Sequence, residues 1–105
     1  MAEIVLGAML FGTRIGEQES FAMLDRFTER GGRWIDTANN YAFWEHPSGF
    51  GGQSEATIGR WLAARPQMRD RVLISTKVGG EPTDAARGLD SAEGLSGPVI
   101  RAALD

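Results

Sequence analysis

The order of its apolar stretches constrains this chain more than any other feature. Short apolar runs alternate three times with segments of helical periodicity. Ile4 to Phe11, broken by Gly7 and closed by Gly12, reads as a first strand buried on both faces, as strands of parallel sheets are. Gly16 to Arg30 reads as a helix. Gly16 is an acceptable N-cap, Glu17 and Glu19 suit the positive end of the helix dipole, and Arg30 suits the negative end. Phe21, Leu24 and Phe27, with Met23 beside them, form its apolar stripe, and Gly31-Gly32 supplies a left-handed stop. Arg33 to Thr37 reads as a second strand and Ala38 to Gly52 as a long irregular loop. Ser54 to Arg65 follows as a second helix, with Ile58, Trp61 and Leu62 on one face and Pro66 just after it. Arg71 to Thr76 is a third strand, and Gly79 to Leu95, rich in Gly, Asp, Glu and Ala, is loop. Ser96 caps a third helix with Pro98 in its first turn and Val99, Ile100 and Leu104 along it.

This β-α-β-α-β-α order implies an α/β fold with a parallel sheet and right-handed crossovers. The expected helix-to-strand links are two residues long, whereas long loops follow the strands. Sites in α/β folds are built on those loops, beyond the C-terminal ends of the strands. A length of 105 residues first suggests one small domain with a modest core. The chain nevertheless stops about two and a half turns into its third helix, where a fourth strand is expected.

Composition removes several classes of function. Hydrophobic residues at 42% and charged residues at 24% describe an ordinary soluble globular protein, not a disordered tail. A net charge of −3 argues against a nucleic-acid or anionic-membrane surface. The absence of cysteine excludes a disulfide scaffold, a Cys-ligated zinc site and an iron–sulfur cluster, and one histidine argues against a His-based metal site. No apolar run approaches the ~20 residues that span a bilayer. Met1-Ala2-Glu3-Ile4 lacks the pattern of a signal peptide, so the expected location is cytoplasmic.

Among the basic residues Lys77 is the only lysine; Tyr41 is the only tyrosine and His46 the only histidine. Asp36 and Lys77 fall at the C-terminal ends of the second and third strands, which as neighbours in a parallel sheet bring the two side chains within reach. A buried Asp needs a partner, and Lys77 is the natural one. Tyr41 lies on the loop above the same strand end, so an acid, a base and a phenol converge on one rim. An adjacent ammonium favours the phenolate, which suits a tyrosine to proton transfer. An ion pair that closes a strand end, with tyrosine as a packing residue, has the same spacing. Gly49-Phe50-Gly51-Gly52 lacks the G-x-G-x-x-G spacing of a phosphate cradle and reads as a flexible lead-in to the second helix.

Asp36-Thr37-Ala38-Asn39-Asn40-Tyr41 resembles the D-T-A-x-x-Y motif of the aldo-keto reductases. Leu6-Gly7-Ala8-Met9-Leu10-Phe11-Gly12 looks like that family's first strand, and Gly31-Gly32-Arg33-Trp34-Ile35 stands where G-x-x-F/W-I/F leads into the Asp. Gly52-Gln53-Ser54-Glu55 followed by Ile58-Gly59 resembles G-x-S-E-x-x-[IL]-G. Ile74-Ser75-Thr76-Lys77 matches the strand that carries the family's lysine, and Leu95-Ser96 through Leu104 looks like the start of the next helix. The resemblance covers nearly the whole chain, in order.

The resemblance implies that residues 1–105 are the first three βα units of a (β/α)8 TIM barrel, incomplete here, that uses NADP(H) to reduce an aldehyde or ketone to an alcohol. Tyr41 would give a proton to the carbonyl oxygen as hydride arrives, Lys77 would assist the tyrosine, and Asp36 would hold Lys77 and help position the nicotinamide ribose. Ala8 and Met9 would lie near the cofactor, although the family often has Thr in the place of Ala8. Tyr41 and Trp44 would meet the substrate, with Trp44 walling an apolar pocket. The family's catalytic histidine lies at the end of a fourth strand, beyond this chain, and His46 reads as a solvated loop residue instead. A preference for NADP over NAD is a family expectation. The alternative is a non-catalytic α/β binding or assembly module. Three βα units cannot close a barrel, so the isolated chain is expected to self-associate, to need a partner or to fold only in part.

Overall fold

The computed structural model describes residues 3–104; Met1, Ala2 and Asp105, where the leader reading and the chain's end fall, lie outside the described residues. Three short strands, β1 (Val5–Gly7), β2 (Trp34–Asp36) and β3 (Leu73–Ser75), alternate with α1 (Glu17–Glu29), α2 (Gln53–Ala64) and α3 (Gly97–Leu104). The strands form one parallel sheet in the order β1-β2-β3. Single 3-10 turns occupy Phe43–Glu45, Pro66–Asp70 and Gly88–Ser91. No described helix is long and apolar enough to cross a membrane.

The register aligns Val5 with Trp34 and Leu73, Leu6 with Ile35 and Ile74, and Gly7 with Asp36 and Ser75. Successive strand residues point to opposite faces, so these rows alternate sides of the sheet. The Leu6–Ile35–Ile74 row packs into the core with Leu24 of α1, Ile58 and Trp61 of α2, and Ala8, Phe11 and Val72. The other face carries Val5, Trp34 and Leu73, all exposed, beneath Gly7, Asp36 and Ser75 near the strand ends. That row explains a correction. The first strand is shorter than Ile4–Phe11 and is covered on one face only, with Val5 48% exposed. Beyond Gly7 the chain turns, and Gly12, at φ +81, presses so closely on α2 that a Cβ there would lie 2.6 Å from Thr57 Oγ1.

Helix α1 starts as its sequence dictates, with Gly16 as N-cap and Glu17 and Glu19 in the first turn. Its buried positions are Leu24 and Ser20, whereas Met23 faces solvent. Ser20 tolerates burial because its hydroxyl donates to the Gly16 carbonyl at 2.8 Å. Helix α2 buries Ile58 and Trp61 as its periodicity predicts, along with Ser54 and Thr57. The link from α2 to β3 is not two residues long: Pro66 ends the α-helical ladder, and its fixed φ suits the 3-10 turn that fills Pro66–Asp70. Helix α3 begins one residue past Ser96 and buries none of its residues.

The two long helices are joined by Asp25. Its Oδ1 accepts from Trp61 Nε1 at 2.9 Å, and its Oδ2 accepts from Arg65 Nη2 at 2.7 Å. The Arg65 guanidinium also lies 5.2 Å from the Phe21 ring centroid. The fully buried Trp61 indole thus places its only donor on a charged acceptor at the helix–helix seam.

Candidate active site at the strand ends

Parallel pairing delivers Asp36 and Ser75 to the same level at the C-terminal ends of β2 and β3. Lys77 lies two residues past the end of β3, and its ammonium makes three hydrogen bonds: 3.0 Å to Asp36 Oδ1, 2.7 Å to the Thr37 carbonyl and 2.8 Å to Tyr41 Oη. An ammonium has three protons to donate, so this set saturates it. Asp36 Oδ1 also accepts from Ser75 Oγ at 2.7 Å, while Oδ2 accepts from Tyr41 Oη at 3.2 Å. Asp36, Tyr41 and Lys77, which the sequence placed on one rim, therefore form a closed triangle.

Proton bookkeeping within the triangle follows from these donors. Because Lys77 can only donate, the Tyr41 oxygen accepts from it and directs its own hydrogen at Asp36. At 3.2 Å that last bond is longer than the usual 2.7–2.8 Å for a hydroxyl donor, so it is the weakest edge. The Ser75 and Lys77 hydrogen bonds hold the Asp36 carboxyl below its ordinary value, against a smaller penalty from burial. For Lys77, burial disfavours the ammonium, but the hydrogen bonds to Tyr41 and Asp36 outweigh it and its pKa lies above the ordinary value. Both effects keep the ion pair charged across the neutral range. The side chains of Asp36 and Lys77 remain 35% and 50% exposed, so a small molecule can reach the triangle from the open side of the rim.

A buried hydroxyl relay supports this rim from below. Ser54, in the first turn of α2, donates to the Ala8 carbonyl at 2.7 Å. Its one proton is thereby used, so Thr37 is the donor in the 2.6 Å contact between Thr37 Oγ1 and Ser54 Oγ. The Ala8 amide in turn donates to the Asp36 carbonyl at 2.9 Å. Ala8 is thus buried against the root of Asp36, and Met9 beside it is exposed. Sequence reasoning missed Ser54 and Ser75. Only their spacing could have revealed them: Ser75 lies two residues before Lys77, at the level of Asp36 in a parallel register, and Ser54 opens the helix after the loop.

The residue after Tyr41 has an unusual backbone conformation. Ala42 is fully buried and adopts the left-handed conformation at φ 56, the only described non-glycine residue with positive φ. The chain then enters the 3-10 turn, where Phe43 is buried and Trp44 is exposed, with their rings edge to face at 5.1 Å. Trp44 lines a groove of about 470 Å³ with Phe43, His46, Pro47, Ala85 and Gly88. None of Asp36, Tyr41 or Lys77 lines that groove. The His46 ring is engaged with Ser48, whose Oγ lies 2.8 Å from Nδ1 and whose backbone N–H also points at Nδ1. No described cluster of three or more His, Cys, Asp or Glu is placed to hold a metal ion.

The model of the aldo/keto reductase family matches residues 3–96. The chain belongs to that family. It is 44% identical over 78 residues to the uncharacterized 11.2 kDa protein of the crtE 3' region of Pseudescherichia vulneris, covering 74% of this chain and 75% of that one. It is 32% identical over its full 105 residues to the uncharacterized oxidoreductase YrpG of Bacillus subtilis, but spans only 31% of that protein. Norsolorinic acid reductase B of Aspergillus parasiticus is 38% identical over 84 residues, with 73% of this chain and 20% of the reductase covered. The aldo-keto reductase AKR11C1 of Bacillus halodurans, in its holo form, superposes with a TM-score of 0.68 at 24% identity, over 97% of this chain and 29% of that structure. The three parallel strands and their helices thus share the fold of part of an aldo-keto reductase. The chain spans less than a third of the length of these three oxidoreductases.

Proposed function

We propose that this chain carries the proton-donating part of an NADP(H)-dependent carbonyl reductase, built as the opening βα units of a (β/α)8 barrel. The closed Asp36–Tyr41–Lys77 triangle, open to solvent on one side, carries this reading. Tyr41 Oη gives its proton to the carbonyl oxygen of an aldehyde or ketone. The long bond to Asp36 Oδ2 is the one it gives up in turning outward. Lys77 stays bonded to the tyrosine oxygen and offsets the negative charge left there. Asp36 anchors Lys77 and has exposed carboxylate surface for a ribose hydroxyl. When bound, NADP(H) supplies the hydride. Met9 is exposed on the rim near Asp36, where the cofactor is expected; Ala8 is fully buried and supports Asp36 through its backbone, and Trp44 lines a separate groove on the loop that carries Tyr41.

A chimera tests this, with residues 3–96 replacing the corresponding segment of YrpG. It is expected to oxidise NADPH in the presence of a simple aldehyde. Tyr41→Phe should lower kcat by about 10²–10⁴-fold, the usual range for loss of a general acid. A folded chimera whose turnover survives Tyr41→Phe would overturn the assignment.

A second reading is favoured by the exposed Val5–Trp34–Leu73 row. Strands of parallel sheets are normally covered on both faces. In this reading the chain works as a non-catalytic assembly module, and a second copy of it covers the row.

A further inference from the structure

Glu81 lies on the loop after β3, shortly beyond Lys77. Its Oε1 accepts the backbone N–H of Gly51 at 2.8 Å, which ties this loop to the end of the loop after β2. Its other oxygen, Oε2, is buried without a protein partner. Gly51 is wedged in place: a Cβ there would lie 2.2 Å from the Asn39 carbonyl oxygen, 2.8 Å from Asn40 Cα and 2.9 Å from Glu81 Oε2. The carboxylate therefore closes one side of the Asn39–Asn40 turn, through Gly51. The same loop meets the turn at two further points. The Asn39 amide donates to the Lys77 carbonyl at 3.2 Å, and a Cβ on Gly80 would lie 2.8 Å from Asn40 Nδ2. Tyr41 is the next residue in the chain.

An ionised carboxylate is an expensive way to make one backbone hydrogen bond. An unpaired buried oxygen keeps its full desolvation cost, and burial, with the like charges of Glu93 and Glu55, pushes the Glu81 carboxyl up despite the Gly51 bond. A neutral amide would make the same contact at lower cost, so what this position supplies is the acceptor for Gly51 and not the charge. We propose that Glu81 is a positioning residue that clamps Gly51 onto the Asn39–Asn40 turn and thereby holds the Tyr41 phenol on Lys77 and Asp36. The role of Tyr41 as proton donor rests on the proposed function, but its placement can be measured without turnover.

Because Tyr41 is the only tyrosine, 13C-labelled tyrosine gives a single phenol Cζ resonance that reports its surroundings. Lys77→Met marks where that resonance goes when the ammonium contact is lost. Glu81→Ala is expected to shift the resonance in the Lys77→Met direction and broaden it. Glu81→Gln, which retains an acceptor for Gly51, is expected to leave it at the wild-type position. An unmoved resonance in folded Glu81→Ala would overturn the proposal, as would a failure of Glu81→Gln to restore the wild-type position. Should Glu81→Ala fail to fold, Glu81→Leu fills the space without accepting and is judged by the same two outcomes. An inactive chimera combined with a shifted resonance rejects the carbonyl-reductase reading and leaves the clamp. An active, Tyr41-dependent chimera with an unmoved resonance does the reverse.

Discussion

Lys77 has three protons to give and three acceptors that take them, a side chain, a backbone carbonyl and a phenol, all on β2 or the loop after it. That arrangement is why the ionisation of single residues translates into stability. Asp36, lowered from 3.8, stabilises the fold above that pH and loses its contribution as pH falls through the lower folded value. Lys77, raised from 10.5, contributes below that pH and loses its contribution as pH rises through the higher folded value. Glu81 has the opposite sign to Asp36. Raised from 4.5, it favours the fold below that pH, and that contribution is lost as pH rises through its folded value. Thermal melts of Glu81→Gln and wild type should therefore coincide below pH 4.5 and separate with rising pH, the variant becoming the more stable. A constant offset at every pH would contradict this. Ala42 gives a second residue-scale expectation. A β-branched side chain at φ 56 is strained, so Ala42→Val should lose about 1–3 kcal/mol in denaturant titration, whereas Ala42→Gly should change stability by less than about 1 kcal/mol.

Among the elements, the α1–α2 seam is the place where sequence periodicity and tertiary chemistry divide most clearly. The stripe of Phe21, Leu24 and Phe27 and the face of Ile58, Trp61 and Leu62 were legible because helical spacing alone puts them on one side. Asp25 was not, since its value lies in the partners that α2 brings, Trp61 and Arg65. Asp25→Ala leaves the buried Trp61 N–H without its acceptor and should cost about 1–3 kcal/mol, read as a lower midpoint in urea. Asp25→Asn, which can still accept from the indole, should recover part of that loss. Strand β1 shows the reverse error. Its apolar run promised burial on both faces, but burial depends on what lies opposite, and here helices cover one face only. Pro66 was correctly placed after α2, yet the 3-10 turn it starts was invisible, because a single turn has too few residues to show a period.

At the level of the whole molecule, the sheet is an asymmetric object. One face holds the core, and the other presents Val5, Trp34 and Leu73 below Asp36 and Ser75. Under the assembly reading, sedimentation velocity on the isolated chain should show association that strengthens with concentration. Trp34→Glu, which puts a charge in the middle of the row, should shift the chain towards monomer while circular dichroism stays unchanged. A wild-type chain that sediments as monomer at every concentration would reject that reading. The sequence by itself determined the alternation of strands and helices, the parallel order and the convergence of Asp36, Tyr41 and Lys77. Periodicity and strand order are properties of the chain taken one segment at a time. Only the tertiary structure decided which face of the sheet is bare, that Ser75 and Ser54 brace the rim, and that Glu81 reaches Gly51 beside Tyr41. Those facts depend on register and loop packing between residues far apart in sequence, which the periodicity of single segments does not encode.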